Sequence, residues 1–400
     1  MKIFIIDKID PPKEYVAFLN PLWEVIRELS EMGYEIHVIS SERGRWHNVY
    51  FHKLILSKKW PFVFQAISYL FSVIGALMLA KKYKLDVAYF RSANARIIAL
   101  LLKRFLNLKY ICEVHGIEYY ENEYSENKLN IFMKWILKIK AHLQIVSAKK
   151  ADGVRVVTEE LKRCLLSYGV NGEKIDIIEN GVNPAIFKPL DNENAIKELK
   201  KELGIGENDK VVMFEGYFYP WQGVEYLIKA SRLVLKEKPN TKFLIVGEGE
   251  MMHSWKKLAS DLEVDNNFIF TGAVPYKDVR KYINVSDICV APFIKERNLR
   301  IGLSPLKIYE YGACGKPIVS SRIPNLEFIE QNKAGLLVEP EKPEKLAKAI
   351  IKLLKDERLR RELGENGRKY VTKNHSWEAV ARKVAEVCKS VVVEHENKRR

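Results

Sequence analysis

Gly302-Leu-Ser-Pro-Leu-Lys-Ile-Tyr-Glu-Tyr-Gly-Ala-Cys-Gly-Lys-Pro-Ile-Val-Ser320 is the stretch that decides how this chain of 400 residues folds. Pro305 suits the first turn of a helix, where its missing N–H is not needed. Lys307 and Ile308 then begin the helix, Glu310 and Tyr311 lie about one turn on, and Gly315 ends it before an apolar strand over 317–320. The backbone N–H groups near Leu303, Ser304 and Leu306 face outward at the helix start, where they attract an anion. Glu310 lies so close to an apolar helix face that it needs partners. The alternative makes it a surface carboxylate paired with Lys307, three residues before it.

Outward from this stretch, short β-branched runs alternate with longer helical segments. Strands are predicted at 3–6, 35–40, 87–89, 110–113, 153–157 and 175–178. A second series follows at 211–214, 243–246, 268–271, 288–291, 317–320 and 335–338. Helical sequence separates most of them, for example 224–236 and 277–286. Short buried strands interleaved with helices indicate parallel sheets covered on both faces. Two doubly wound α/β domains result, over 1–186 and 187–375, joined near Pro184–Pro189 where Asn180-Gly181 marks a turn. The segment 376–400 has Val380, Val384, Val387 and Cys388 at helical spacing and is expected to cross back to the first domain.

A hydrophobic fraction of 47% and a charged fraction of 29% exclude a disordered, collagen-like or disulfide-stapled protein. The net charge of +15, from 66 Lys+Arg and 51 Asp+Glu, favours anionic partners. Nucleic acid is not expected among them, since no recognisable module is present and basic and acidic residues are intermixed. The five cysteines are far apart and form no C-x-x-C pair, which argues against a disulfide framework or zinc site and for a reducing compartment. Met1 leads straight into Lys2-Ile-Phe-Ile-Ile6, a strand rather than a leader peptide, so a cytoplasmic location is expected.

Pro61 to Ala80 holds twenty residues without a charge, between Lys58-Lys59 and Lys81-Lys82. Three readings fit: a membrane span, a buried core helix, or a surface helix dipping into lipid. A span would separate the first strands from the rest of their sheet. Phe64, Ile67, Phe71, Ile74 and Met78 recur at the spacing of a core face, leaving Phe62, Val63, Tyr69, Leu70, Val73 and Leu77 to decide between core and lipid. Basic runs lie close by: Lys81 to Lys109 holds eight Lys or Arg against Asp86, and Lys128 to Lys150 holds six against no acid.

Several chemistries lack their motifs. The chain has no P-loop, no H-E-x-x-H, no G-x-S-x-G and no G-x-G-x-x-G after a first strand. It has no D-x-D pair to hold a divalent ion on a diphosphate, and its eight histidines show no metal-ligand spacing. No metal site and no cofactor are predicted. What remains are turns after strands of the second domain, Gly247-Glu-Gly249 and Gly272-Ala-Val274. Ligands of open α/β sheets bind at the carboxyl ends of strands, so these turns are candidate pocket walls.

Lys307-x-x-Glu310-Tyr-x-Ala313-x-Gly315-x-Pro317-x-Val319 resembles the signature of retaining glycosyltransferases of family 4. Ile178-x-Asn180-Gly181-Val182-Asn183-x-x-x-Phe187-x-Pro189 resembles the family's inter-domain stretch, and Leu244-Ile-Val-Gly247-x-Gly249 and Asp287-Ile-x-Val-x-Pro292 also fit. The resemblance covers nearly the whole chain. It implies the GT-B fold, two Rossmann-like doubly wound parallel-sheet domains facing a central cleft, with a nucleotide-sugar donor held by the second. Glu310 matches the carboxylate that accepts hydrogen bonds from the donor ribose. The backbone around Ser304, Pro305 and Leu306, with Leu303, matches the segment that cradles donor phosphate and sugar. Gly272 and Val274 match the loop near the base, and His115, in Glu113-Val-His115-Gly116, matches the family's active-site histidine.

Three positions depart from the family. Gly302 stands where an acidic residue commonly contacts the donor sugar. Tyr217 and Gln222 stand where Arg and Lys commonly bind the diphosphate. Asp10-Pro-Pro-Lys13 replaces the glycine pair after the first strand. Lys307, Arg297 and Arg300 are the candidate cations for the leaving diphosphate. The expected activity is metal-independent, retaining hexosyl transfer to an acceptor hydroxyl, the acceptor being a lipid-linked or envelope glycan, with peripheral contact to an anionic membrane. The rival expectation is a catalytically inactive nucleotide-sugar-binding partner protein.

Overall fold

The computed structural model describes residues 1–10, 21–54, 62–93, 95–116 and 131–397. The glycine-pair replacement at 11–13 and Lys58-Lys59 lie outside them, as do the side chains of Phe62, Val63, Phe64 and Ile67. The chain divides into two compact units, the described parts of Met1–Glu179 with Trp377–Arg400, and Asn180–Ser376.

In the first unit the order is β1 (Lys2–Lys8), α1 (Pro21–Glu31), β2 (Glu35–Ser40), β3 (Gly44–Trp46), β4 (Val49–Lys53), α2 (Phe62–Tyr83) and β5 (Val87–Phe90). Then come α3 (Ala95–Leu106), β6 (Lys109–Val114), α4 (Ile131–Lys150), β7 (Gly153–Val156), α5 (Glu159–Ser167) and β8 (Ile175–Ile177). The sheet runs β3-β4-β2-β1-β5-β6-β7-β8, parallel except for the β3–β4 pair. Ile3, Phe4 and Ile5 are all buried, the continuous apolar run of a strand covered on both faces. The step β1–α1–β2 runs toward one edge, whereas α2, α3 and α4 carry the chain toward the other. Right-handed crossovers therefore put α1 on one face and those three helices on the opposite face. The hairpin β3–β4 was not predicted.

The second unit contains α6 (Glu193–Glu202), β9 (Lys210–Glu215), α7 (Val224–Glu237), β10 (Thr241–Val246), α8 (Met252–Asp261), β11 (Phe268–Gly272), α9 (Tyr276–Val285) and β12 (Ile288–Ala291). It continues with α10 (Lys295–Ile301), α11 (Leu306–Ala313), β13 (Ile318–Ser321), α12 (Phe328–Gln331), β14 (Gly335–Val338), α13 (Pro343–Lys355) and α14 (Glu357–Asn374). Its all-parallel sheet runs β11-β10-β9-β12-β13-β14. The last helix, α15 (Trp377–Asn397), packs on α1 in the first unit and buries Val380, Val384, Val387 and Cys388. Two units of parallel α/β sheet, each with helices on its faces, are the architecture of the GT-B fold.

The apolar helix α2 corrects the predicted core stripe. Phe71, Ile74 and Met78 are 58, 44 and 67% exposed, whereas Ser72, Val73, Ala76 and Ala80 are buried. Small side chains let the helix approach its neighbours closely; Gly75 shows the same contact, since a Cβ there would meet Leu54 at 2.5 Å. The bulky residues are left outside. Among the described residues no helix is long and apolar enough to cross a membrane.

Candidate functional site

In the second unit the site forms at the carboxyl ends of β9, β10 and β11. Glu215 closes β9 with its carboxyl buried, and its backbone N–H donates to the Tyr311 hydroxyl at 3.0 Å. Gly216 follows at φ +138°, and a Cβ there would lie 2.5 Å from Lys307 Nζ. That ammonium is buried, donates to Gln222 Oε1 at 2.9 Å and lies 4.0 Å from the centre of the Phe214 ring. Burial pulls the Lys307 pKa down to about 8, against the opposing pull of Glu215 and Glu310.

Glu310 is buried on α11, so the reading as a surface carboxylate is excluded. The Tyr276 hydroxyl donates to its Oε1 at 2.6 Å. Burial also raises the Glu215 carboxyl, against the pull of Lys307. Burial first, then the Glu215 charge, pushes Glu310 well above the usual carboxylate range.

Pro305 corrects one expectation, since it lies at the N-cap of α11 in extended conformation and not within its first turn. No side chain caps this helix, which leaves its first amides directed at the site. The Ser304 hydroxyl does other work: it accepts from the Asn180 backbone at 2.8 Å, and the Ser304 carbonyl accepts from the Asn180 amide at 2.8 Å. Leu303 is buried in the core, and Gly302 ends α10 at φ +67°. Gly247 and Gly272 meet directly, the N–H of Gly247 donating to the Gly272 carbonyl at 3.0 Å, with Val274 half-buried just beyond. Arg297 lies over the Trp221 ring at 4.8 Å and donates to Asn298 at 3.1 Å, while Arg300 is exposed on α10. Lys307, Glu310 and Gln222 are thus brought together, and the arginines belong to the neighbouring α10 surface.

In the first unit His115 follows β6, with Nε2 hydrogen-bonded to Glu113. Glu113 is buried and also accepts from Tyr89, with the Arg155 guanidinium 3.2 Å away. Arg155, then His115, holds the Glu113 carboxyl well below its usual range against burial. Burial lowers His115 to about 4, so the ring is neutral at pH 7. Nε2 then donates to Glu113, which makes Nδ1 the accepting atom. The Gln144 amide donates to the Gly116 carbonyl at 2.8 Å and steadies the turn. Nearby, the buried Asp7 at the end of β1 accepts from the backbone of Arg91 and Ser92 at 2.6 and 2.7 Å.

Sequence reasoning missed Glu215, Gly216, Tyr276, Tyr89 and Arg155. An available signal was Glu215 itself, an acid closing the otherwise apolar run Val211–Phe214 at the ligand end of a strand.

Residues 195–370 match the family model described as glycosyl transferases group 1, and residues 22–186 match that of glycosyltransferase family 4. An uncharacterized glycosyltransferase of Methanocaldococcus jannaschii is 30% identical over 293 residues, 72% of this chain and 70% of that protein. The UDP-Gal:alpha-D-GlcNAc-diphosphoundecaprenol alpha-1,3-galactosyltransferase of Escherichia coli is 26% identical over 71% of this chain and 70% of its own. Among solved structures, sucrose-phosphate synthase of Thermosynechococcus elongatus superposes with a TM-score of 0.76 at 19% identity, over 98% of this chain and 99% of that one. Anabaena HepE in complex with UDP-glucose gives 0.73 at 18% identity, over 98% and 100%. Matched in both units and sharing their fold, the chain belongs to the group 1 glycosyltransferases of family 4, with the GT-B fold.

Proposed function

We propose that the protein moves a hexose from a nucleoside-diphosphate sugar to an acceptor hydroxyl with retention of configuration, and needs neither metal nor other cofactor. The observation that carries this reading is the buried pair Glu310 and Lys307, with the half-buried Gln222, next to Gly216 and the uncapped amides of α11. Glu310 accepts hydrogen bonds from the donor ribose. Lys307 and the α11 amides stabilise the leaving diphosphate. His115 presents Nδ1 to a hydroxyl of the donor sugar.

Glu113, the carboxylate nearest His115 in sequence, is held by Arg155, Tyr89 and His115 and is poorly placed to act as a covalent nucleophile. The acceptor oxygen therefore bonds to C1 on the face from which the phosphate oxygen departs. The acceptor proton passes to that phosphate oxygen. A lipid-linked or envelope glycan is the proposed acceptor, a reading supported by the name of the Escherichia coli relative.

Thermal shifts with nucleoside diphosphates and their sugars test donor binding, because a ligand of the native state raises its Tm. Release of nucleoside diphosphate, by hydrolysis or transfer, separates an enzyme from an inactive nucleotide-sugar-binding partner, the reading that Gln222 and Gly302 at positions usually held by a cation and an acid would favour. Activity is expected to survive EDTA: among the described residues no three His, Cys, Asp or Glu side chains group to hold a metal. Inactivation reversed by Mg²⁺ or Mn²⁺ would refute this.

Lys307→Ala is expected to lower turnover about a hundredfold, the scale of one transition-state charge contact, and far more than Arg297→Ala. With Lys307 at about 8, the native rate should fall as pH rises past that value. Lys307→Arg should shift the fall upward. A larger loss in the Arg297 variant would transfer the role to the arginine.

A further inference from the structure

The segment joining β9 to α7, Gly216-Tyr-Phe-Tyr-Pro-Trp-Gln-Gly223, holds four aromatic rings, and only one of them serves the core. Phe218 is fully buried against Phe214 and Trp255. Tyr217, Tyr219 and Trp221 instead stack on one another. The two tyrosine rings are centred 4.4 Å apart, and Tyr219 lies 4.2 Å from Trp221 at an interplanar angle of 13°. The Arg297 guanidinium, 4.8 Å from the Trp221 ring, adds a further plane. Tyr217 is 50% exposed and Tyr219 37%.

This ladder stands on a pinned backbone. The Phe218 N–H donates to the Glu248 carbonyl at 2.7 Å, and the Phe218 carbonyl accepts from the Met251 N–H at 3.1 Å. The Trp221 carbonyl accepts from the Ile294 N–H at 3.3 Å and from the buried Asn298 amide at 3.2 Å. Pro220 fixes a backbone angle between the second and third rings. A ligand therefore meets rings already held in place, and binding loses little ordering entropy.

A pyranose ring has a face of C–H groups and a rim of hydroxyls. It matches aromatic planes bordered by phenol hydroxyls and a guanidinium, groups that are apolar on one side and wet on the other. The rings touch one another, so no slot between them admits a planar base. Of the four large apolar side chains exposed in the second unit among the described residues, Tyr217, Tyr219 and Leu299 lie on this loop or on α10. Three side chains fall well short of the roughly 800 Å² per partner that a stable protein interface buries. The ladder also runs into the donor group, because Gln222 follows Trp221 and accepts from Lys307.

We propose that Tyr217, Tyr219 and Trp221 form a stacking platform for successive sugar rings of the acceptor glycan. This rests on the reading of the acceptor as a glycan. Saturation-transfer NMR of the full chain with chitotriose, maltotriose and galactobiose, each without nucleotide, tests it. Saccharide C–H protons should receive saturation at millimolar concentration, and more strongly than those of glucose. Tyr217→Ala/Tyr219→Ala should weaken binding roughly tenfold or more, whereas Tyr217→Phe/Tyr219→Phe, which keeps the rings, should retain most of it. Both tyrosines are exposed, so these variants should keep the native circular dichroism spectrum.

No saturation of any of the three saccharides overturns the proposal. So does a signal unchanged in Tyr217→Ala/Tyr219→Ala, which places the sugar elsewhere. Glucose binding as well as the longer saccharides would assign the rings to a single sugar, and displacement by uridine would assign them to a base; either result overturns it. A Tm rise with nucleoside diphosphate, measured separately on the native protein, shows whether the donor reading stands when the platform fails.

Discussion

Glu310→Ala should lower kcat/KM for the nucleotide-sugar donor by about fivefold to 150-fold, the loss expected when two hydrogen bonds of about 0.5–1.5 kcal/mol each disappear. The fold should survive. Burial and Glu215 hold the Glu310 carboxyl above its ordinary range. A group whose folded pKa is raised gives up stability as pH rises through the ordinary carboxylate range toward the folded value. At neutral pH the raised pKa makes the buried acid a cost to the native state, which offsets part of what the variant loses with the Tyr276 hydrogen bond, so its Tm should change little. Lost donor use with undiminished Tm is the pattern of a site residue kept at the expense of stability. Unchanged donor kinetics would remove Glu310 from the site, and a large fall in Tm would make its role structural.

Gly247→Ala should do the reverse, destabilising the second unit and losing activity with it. Gly247 has φ +127°, and an added Cβ would fall on the Gly216 carbonyl oxygen and 3.1 Å from the Phe218 ring. Backbone cannot rotate away as a flexible side chain can. Strain at positive φ combined with overpacking costs on the order of 4 kcal/mol. In a domain of this size that corresponds to a fall in Tm of roughly 8–16 °C. Gly272→Ala is the internal control: its φ is +74°, but nothing lies within 4 Å of an added Cβ. It should cost far less. Equal effects of the two substitutions would show that positive φ, and not the crowding at Gly216, sets the penalty.

The contrast between these glycines shows where sequence stops informing. Apolar runs such as Val211–Phe214 and Phe243–Val246 read as strands without ambiguity because both faces of the sheet are buried. The hairpin at 44–53 escaped because Arg45, His47 and His52 interrupt it, and their placement depends on contacts such as that between His37 and His52. For α2, helical spacing identifies stripes but does not say which one faces inward. The small stripe of Ser72, Ala76 and Ala80 won through close approach, not through hydrophobicity. The signature around Glu310 exposed the donor-site candidate, yet its partners Tyr276 and Glu215 come from other strand–helix junctions. No local pattern joins residues that only sheet order brings together.

Helix α15 has a consequence for the order in which the molecule is made. It is the last described element of the chain, yet it buries Trp377, Val380, Val384 and Cys388 in the unit whose strands are synthesised first. A nascent chain emerging through Ser376 already holds every strand of the second sheet, and those strands are contiguous in sequence. The first sheet at that moment lacks the helix that covers α1. The half made first is therefore completed after the second sheet, and until α15 emerges its apolar face stays uncovered and open to aggregation.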